Sequence, residues 1–359
     1  MSHNESIFDL YDIKMQGFEL YAATCWFITI FFFTLIGDAI ILVASIKYNA
    51  FKLHDGVVVF IQHIAVCDLL MAVTCILPQI VSLVANRWVL GTVVLYINVY
   101  GPRLGFPAGL YLLCGMTTTK LFLLRNPLKS RSISRKHIHI LCTAIWGFAC
   151  YFPATLMLVD KDDVYFDFRI YTCVYAYSTD KKKWKLLKPL VLGLLSIIPT
   201  IIIVLASVLL VKYLIEARKL SSKCNGSLQW KGIATVLFTA TVFIISSAPL
   251  TVFNLTESYV ELEYHSFHVH FYRTAYSFMY FTVATNIFIY YFTVPSFQEF
   301  LKSRIKTTSS QNTEISTNSE ASLRNKKTNT AISRVQLNSL SSMKSTQDYG
   351  TNLKRANTQ

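Results

Sequence analysis

Asp68 and Arg103 are ionisable side chains inside long apolar stretches, where a charge is costly and usually serves a function. The guanidinium group of Arg103 suits a carboxylate or another anionic ligand group. The alternative is that it bonds to backbone carbonyls or extends toward the membrane surface, since Pro107 frees the carbonyl of Arg103 itself. No arrangement of nucleophile and base and no paired-cysteine metal pattern is present, so the sequence predicts neither an enzyme nor a metal protein.

Seven apolar stretches must position these side chains. They cover residues 21–46, 57–84, 90–124, 138–159, 186–214, 233–255 and 271–294. A helix rising ~1.5 Å per residue needs ~20 residues to cross a ~30 Å hydrocarbon core, whereas barrel strands would be about half as long. The fold class predicted is therefore an all-α membrane protein, a seven-transmembrane helix bundle. The first stretch has full spanning length, so we expect it to remain as a helix rather than to be removed as a signal peptide.

The basic residues favour an N-terminus outside the cell. In this orientation the segments that are rich in lysine and arginine face the cytoplasm, and these are 47–52, 125–136, 218–231 and 302–306. The exception is the lysine run at 181–185, which lies in the longest outer loop and is partly offset by aspartates. Asn4, in Asn4-Glu5-Ser6, is then a candidate glycosylation site. We expect a multi-pass protein of the plasma membrane.

Three segments follow from this pattern: an extracellular tail at 1–20, a transmembrane domain at 21–305, and a cytoplasmic tail at 306–359. The domain ends in a short amphipathic eighth helix that begins near Pro295. The tail is rich in serine, threonine, asparagine and lysine and is expected to be disordered. Either it is only a solvated terminus, or its hydroxyl clusters are phosphorylated and recruit partners, with receptor kinases and arrestin as the candidates.

Several motifs together resemble those of the rhodopsin-like (class A) G-protein-coupled receptors, over about residues 20–305. The motifs are Ile64-Ala65-Val66-Cys67-Asp68, Trp88-Val89-Leu90-Gly91, Trp146, Pro199, Pro249, and Asn286-Ile287-Phe288-Ile289-Tyr290 followed by Phe297. The resemblance implies a divergent receptor that binds an extracellular ligand and signals to a heterotrimeric G protein. A seven-helix transporter, a channel or a non-coupling ligand-binding membrane protein is the alternative. Such proteins usually show internal repeats or a line of intramembrane charges, and neither is evident.

The resemblance also assigns an activation network inside the bundle. Its members are Asp38, Asp68, Asn286, Tyr290, Pro199, Pro249 and Phe243. Because the family brings Asp38 and Asp68 together beside Asn286, either one carboxyl group holds a proton or a cation, such as sodium, lies near Asp68. A hydrogen-bonded packing network is the alternative. Gly109 and Thr282 stand where the family often has further sodium ligands, which argues against a complete sodium site.

The chain also departs from the family pattern. At the inner end of the third helix the family's Asp-Arg-Tyr is Thr119-Lys120-Leu121, and lysine lacks the planar fork of arginine. The resemblance implies that the G protein contacts Lys120 together with Pro127 and Leu128. The family's tryptophan before the proline of the sixth helix is replaced within Ser246-Ser247-Ala248-Pro249. Ile287 replaces a proline, and Asp38 replaces an asparagine.

The ligand candidates line the outer half of the predicted bundle: Gln79, Asn98, Arg103 and Tyr280. Pro102 stands where amine receptors carry an aspartate, which argues against a monoamine. The seventh stretch has no lysine, so no retinal Schiff base can form there. A peptide and a small molecule both stay open. Glycines at 101, 105 and 109 predict close helix packing, and Pro107 predicts a kink.

The family's usual disulfide joins the third helix to the second outer loop. Cys173 is suitably placed in that loop, but Leu95 stands at the helix position, so we expect the bridge to be missing. Cys25 is a candidate substitute partner, and a free thiol at Cys173 is the alternative.

Overall fold

The computed structural model describes residues 14–48, 51, 55–126, 134–159, 164–175, 191–220, 227–259 and 266–306. The helices are α1 (Gly17–Ile46), α2 (Asp55–Met71, Ala72–Ile76 and Leu77–Ala85), α3 (Gly91–Arg125), α4 (Arg135–Val159), α5 (Gly193–Ile197 and Ile198–Leu220), α6 (Ser227–Tyr259), α7 (Ser266–Met279 and Phe281–Thr293) and α8 (Pro295–Lys306). A hairpin of β1 (Val164–Asp167) and β2 (Thr172–Tyr175) lies between α4 and α5. Residues up to Gln298 belong to one compact unit, and a second unit begins at Glu299.

Membrane-spanning character is plain in five of the described helices, α1, α2, α3, α5 and α6, which are long and apolar enough to cross a bilayer. A sixth is added when α7 is counted together with α8. The remaining helix, α4, has 25 residues, which also exceeds the length that a bilayer requires. The predicted fold class, an all-α bundle of seven membrane helices, is confirmed.

Two prolines are accommodated by π-helical turns. In α2 the turn Ala72–Ile76 precedes Pro78, and in α5 the turn Gly193–Ile197 precedes Pro199. Proline has no N–H, so each leaves carbonyls of the preceding turn without their usual donor. The hydroxyl of Tyr111 in α3 donates to the carbonyl of Leu194 over 2.8 Å and satisfies one of them. Helix α3 therefore supports the irregular start of α5.

Two of the three predicted glycines of α3, Gly101 and Gly105, pack closely against α2, whereas a Cβ atom at Gly109 would lie 3.9 Å from Cys67 Sγ, an ordinary contact. A Cβ atom at Gly101 would overlap the side chains of Thr74 and Cys75, and one at Gly105 would overlap Met71. The thiol of Cys67 also donates to the carbonyl of Gly105 over 3.2 Å. These partners all lie on α2. Because Gly101 and Gly105 have no side chains, α3 can approach α2 closely at these positions.

The structure differs from the sequence prediction at three places. Helix α1 begins at Gly17, four residues before the predicted start at 21, after Gln16 in an extended conformation and with Gly17 at a positive φ of 54°. Helix α7 is interrupted at Tyr280 instead of running unbroken from 271 to 294. The hairpin was not predicted. Asn4, Pro127, Leu128, the tail beyond Lys306 and the predicted helical residues 186–190 lie outside the described residues.

Candidate functional site

Asp68 and Asn286 join α2 to α7 in the middle of the bundle. The amide nitrogen of Asn286 donates to Asp68 Oδ2 over 2.5 Å, and both residues are buried. Asp38 on α1 is only 1% exposed and lies within electrostatic range of Asp68. Within the part of the chain that the structure describes, neither carboxyl oxygen of Asp38 has a hydrogen-bond partner. The structure therefore brings the three predicted polar residues together, but only Asp68 and Asn286 bond directly.

A small cavity of about 20 Å³ adjoins Asp68 on the side away from α1. It is lined by residues of α2, α3, α6 and α7, namely Asp68, Met71, Gly105, Phe106, Gly109, Phe243, Met279, Tyr280, Thr282 and Val283. This volume is enough for a water-sized species. Its oxygen-bearing residues are Asp68, Tyr280 and Thr282, and most of the other lining residues are apolar.

Helix α6 is attached to its neighbours beside this cavity. The rings of Phe106 on α3 and Phe243 on α6 lie 5.3 Å apart. The hydroxyl groups of Ser246 on α6 and Thr282 on α7 share a hydrogen bond of 2.8 Å. On α6 these contacts lie six and three residues before Pro249, which is inside the helix. They hold the middle of α6 where the family's tryptophan is missing.

A second attachment lies near the end of the bundle that is opposite the hairpin. Thr235 on α6 donates to the hydroxyl of Thr293 on α7 over 2.9 Å, and both are buried. Beside it the ring of Phe51 stacks on Phe297 and meets the edge of Tyr290. The predicted network residue Tyr290 is thus packed into an aromatic cluster, and its hydroxyl lies within electrostatic range of both aspartates.

Lys120 lies near the same end of α3 and is 8% exposed. Among the described residues, no acidic side chain forms an ion pair with it. A buried ammonium group without a counterion is costly, so this position favours a change that brings the amine to solvent or to a partner.

Toward the hairpin end, two of the predicted ligand residues, Tyr280 and Arg103, lie near Tyr276 of α7. The hydroxyl groups of Tyr276 and Tyr280 are 3.0 Å apart, and the ring of Tyr280 meets the edge of Phe27 on α1. Arg103 on α3 is half-buried, donates to the carbonyl of Val99 over 3.0 Å and lies within electrostatic range of Tyr276. The carbonyl of Val99 is not one of those that Pro102 or Pro107 leaves without a backbone donor. Arg103 is therefore inside the bundle and beside Tyr276.

Asn98 and Gln79 are fully buried and make structural contacts. The Asn98 amide donates to the carbonyl of Thr74 over 3.2 Å, and its oxygen accepts from the hydroxyl of Thr172 and the backbone N–H of Cys173. Gln79 donates to the carbonyl of Ile170 over 2.6 Å. Both predicted ligand residues thus attach the hairpin to α2 and α3.

The missing disulfide is replaced by these contacts. Leu95 packs against Cys173 where the family has a second cysteine, and Cys173 is a buried free thiol. Burial raises the pKa of this thiol to about 12. Cys25 is also a free thiol and is exposed, so the substitute bridge between Cys25 and Cys173 is not present.

An ionic lid that the sequence analysis missed covers the hairpin end beside α1 and α7. The side chain of Arg273 on α7 is 6% exposed, donates to both carboxylate oxygens of Glu19 on α1 at 2.8 and 2.9 Å, and donates to the carbonyl of Arg169 at 2.9 Å. Arg169 in turn pairs with Asp167 and lies over the ring of Tyr272. Arg273 stands near the start of an apolar stretch, as Arg103 stands inside one, and that signal could have identified it.

Tyr171 completes the lid. Its backbone has a positive φ of 52°, and its buried hydroxyl contacts Asn86 Oδ1 over 2.5 Å and the carbonyl of Met15 at 3.5 Å. Burial raises the pKa of Tyr171 to about 12, with Arg273 acting in the opposite direction. Met15 itself is buried among the core residues of the bundle. Met15, two residues before α1, is thereby part of the lid.

Seven membrane helices with a polar core and a lidded end define a multi-pass membrane protein. The sequence matches the 7 transmembrane receptor (rhodopsin family) over residues 37–290, which is more than half of the chain, and the protein belongs to this family. The resemblance drawn from the sequence motifs is confirmed. No curated protein matched the sequence at the significance threshold.

Proposed function

We propose that the protein is a plasma-membrane receptor that binds an extracellular ligand and activates a heterotrimeric G protein. The observation that carries this proposal is the Asp68–Asn286 hydrogen bond beside a cavity lined by α3, α6 and α7, in a chain of the rhodopsin family. In the proposed orientation the N-terminus and the hairpin face outward. This orientation follows from the distribution of basic residues.

The proposed ligand is a peptide or a small molecule, and it enters beneath the lid between α3, α6 and α7. Tyr280 and Arg103 contact the ligand, with the guanidinium group taking a carboxylate or similar anion. Gln79 and Asn98 form the wall and hold the hairpin above it. An unchanged concentration-response curve in Arg103→Ala would remove the anion hypothesis, and Arg103→Lys distinguishes charge from the planar geometry of the guanidinium group.

Transmission requires the inner half of α6 to move away from α3 and α7. This movement must separate Phe106 from Phe243 and must break the hydrogen bond between Thr235 and Thr293. Pro249 supplies the bending point because it removes one backbone hydrogen bond within α6. The resulting cleft exposes Lys120, which then contacts the G protein.

We also propose a sodium ion beside Asp68 in the resting state. The cavity offers the carboxylate of Asp68 and the hydroxyl of Thr282, with the hydroxyl of Ser246 bonded to Thr282. Thermal stability of the purified protein should rise when sodium replaces potassium, and Asp68→Asn should abolish the increase. Equal stability of the wild-type protein in both salts would exclude the ion.

The decisive experiment measures G-protein dissociation in cells that express the full chain, across a panel of Gα subunits, first without ligand and then with peptide and small-molecule libraries. A ligand-dependent signal that Lys120→Ala abolishes and Lys120→Arg retains would establish coupling. Silence across the panel, with surface expression verified, would favour a transporter, a channel or a non-coupling binding protein.

Two further parts of the proposal concern the ends of the chain. Receptor kinases phosphorylate the hydroxyl-rich tail and arrestin then binds it, and Asn4 carries a glycan. Mass spectrometry of the protein from stimulated cells tests both. A tail without phosphate, or an unmodified Asn4 on surface-exposed protein, would reject the corresponding part.

A further inference from the structure

Three nitrogen-bearing rings form a hydrogen-bonded chain between α2 and α4, away from the polar core. Trp146 Nε1 on α4 donates to His63 Nδ1 on α2 over 3.2 Å. His63 Nε2 lies 3.2 Å from His139 Nδ1 on α4, and the two imidazole rings meet edge to face. Trp146 and His63 are partly buried, and His139 is exposed. The chain therefore leads from inside the bundle to its lipid-facing surface.

The hydrogen-bond roles fix the position of every proton in this chain. An indole N–H can only donate, so Nδ1 of His63 accepts and the proton of His63 is on Nε2. That proton is donated to Nδ1 of His139, whose own proton is then on Nε2. Because Nδ1 faces α2, Nε2–H of His139 is directed away from α2. Trp146 and His63 thus fix the tautomer of His139, so that its Nε2–H is a hydrogen-bond donor directed away from α2.

The surroundings of this donor suit an anionic lipid. Arg135 lies four residues before His139 and therefore on the same face of α4, one turn closer to the start of the helix. Exposed apolar side chains lie near His139, with Ile140 and Leu141 on α4 and Val66 on α2. Thr143, one turn further along α4, is exposed but donates its hydroxyl to the carbonyl of His139. A cationic residue and an oriented N–H group therefore lie beside an apolar surface, which suits the phosphate and the acyl chains of a lipid.

We infer that Arg135 and His139 bind the phosphate group of an anionic membrane lipid on the exposed face of α4, at the edge of its groove with α2. His63 and Trp146 are positioning residues that act through the tautomer of His139. The start of α4 faces the cytoplasm in the orientation proposed above, and anionic lipids are concentrated in that leaflet. The inference rests on the proposed function only for the orientation of the chain in the membrane. It does not depend on binding of an extracellular ligand or on coupling to a G protein.

The test is a titration of the full-length protein in neutral detergent with phosphatidylserine, followed by native mass spectrometry in phosphate-free buffer. His139→Phe keeps a ring of similar size but removes the donor. We expect it to weaken binding of the first phosphatidylserine about tenfold. Arg135→Gln should weaken it by a similar factor, since both contact the same phosphate.

His137→Phe is the matched control, because His137 is exposed on the first turns of the same helix but bonds to Ser134 and lies on another face. It should bind the lipid as the wild-type protein does. Equal affinity of His139→Phe and wild type would overturn the proposal, as would an equal loss in His137→Phe. A groove that prefers cholesterol to phosphatidylserine in competition would also overturn it. Loss of G-protein signalling with lipid binding intact would reject only the receptor function.

Discussion

Replacing Asn98 by alanine should destabilise the protein more than removal of one polar side chain usually does. The side-chain amide of Asn98 donates to the carbonyl of Thr74, and this carbonyl lacks its helical donor because Pro78 stands four residues later. The side-chain oxygen of Asn98 accepts from the backbone N–H of Cys173 at 2.9 Å and from the hydroxyl of Thr172 at 2.7 Å. One side chain therefore links α3 to both α2 and the hairpin.

The magnitude follows from the groups that alanine would leave behind. The carbonyl of Thr74 and the N–H of Cys173 would both remain buried without a partner, and each such group costs about 1–3 kcal/mol. We therefore expect Asn98→Ala to lower the free energy of unfolding by roughly 2–6 kcal/mol. Thr172→Val removes a single hydroxyl and leaves the other contacts of Asn98 in place, so it should cost about 1 kcal/mol.

The assay is equilibrium or thermal unfolding of the purified protein in mild detergent, with wild type, both single variants and the double variant measured side by side. The double variant should lose less than the sum of the single losses, because the two residues share a hydrogen bond. Asn98→Ala within about 1 kcal/mol of wild type would refute the reasoning. It would mean that other donors or water satisfy the groups assigned to Asn98.

Four further outcomes are expected from contacts described above. Cys173, with its pKa raised to about 12 by burial, should resist alkylation at neutral pH in the folded protein and react on unfolding, which mass tagging would detect. Because the fold disfavours the thiolate, stability should fall as the pH rises above about 8.5, the usual value of an unfolded thiol, and Cys173→Ala should remove that part of the decline. Leu95→Cys should form the family's disulfide with Cys173 and stabilise the protein by about 2–4 kcal/mol, and a thiol count showing no bridge would contradict this. Thr235→Val should raise ligand-independent G-protein signalling severalfold, because it frees α6 from Thr293 near the cytoplasmic end, whereas unchanged basal signalling at equal expression would argue against that restraint.

The membrane fold could be predicted from the sequence because its main cause is local. A run of apolar residues long enough to cross a bilayer must form a helix there, whatever its neighbours are. The glycine spacing on α3 likewise predicted its close packing, since small side chains act at short range. The pairing of Asp68 with Asn286 was reached differently, through resemblance to the family, and the structure places the two side chains in direct contact.

The lid could not be predicted because its partners are distant in the sequence. Glu19 and Arg273 are 254 residues apart, and only the folded bundle brings them together. The hairpin has a comparable origin, since β1 and β2 have few residues and depend on contacts from Asn98 and Gln79 for their position. Segments of only four residues carry too little periodicity to be recognised on their own.

Asn98 connects the two kinds of result. Sequence reasoning selected it as a ligand residue, because a polar side chain in the outer half of α3 suggests a pocket. The structure gives it a different immediate task, in which it compensates for the absent N–H of Pro78 and for the absent cysteine at Leu95. Either change alone, the proline at 78 or the leucine at 95, would weaken the attachment of the hairpin. The side-chain amide of Asn98 offsets both. A chain without the family's disulfide can therefore keep its lid, and the position of the hairpin above the pocket depends on hydrogen bonds that a ligand could break reversibly.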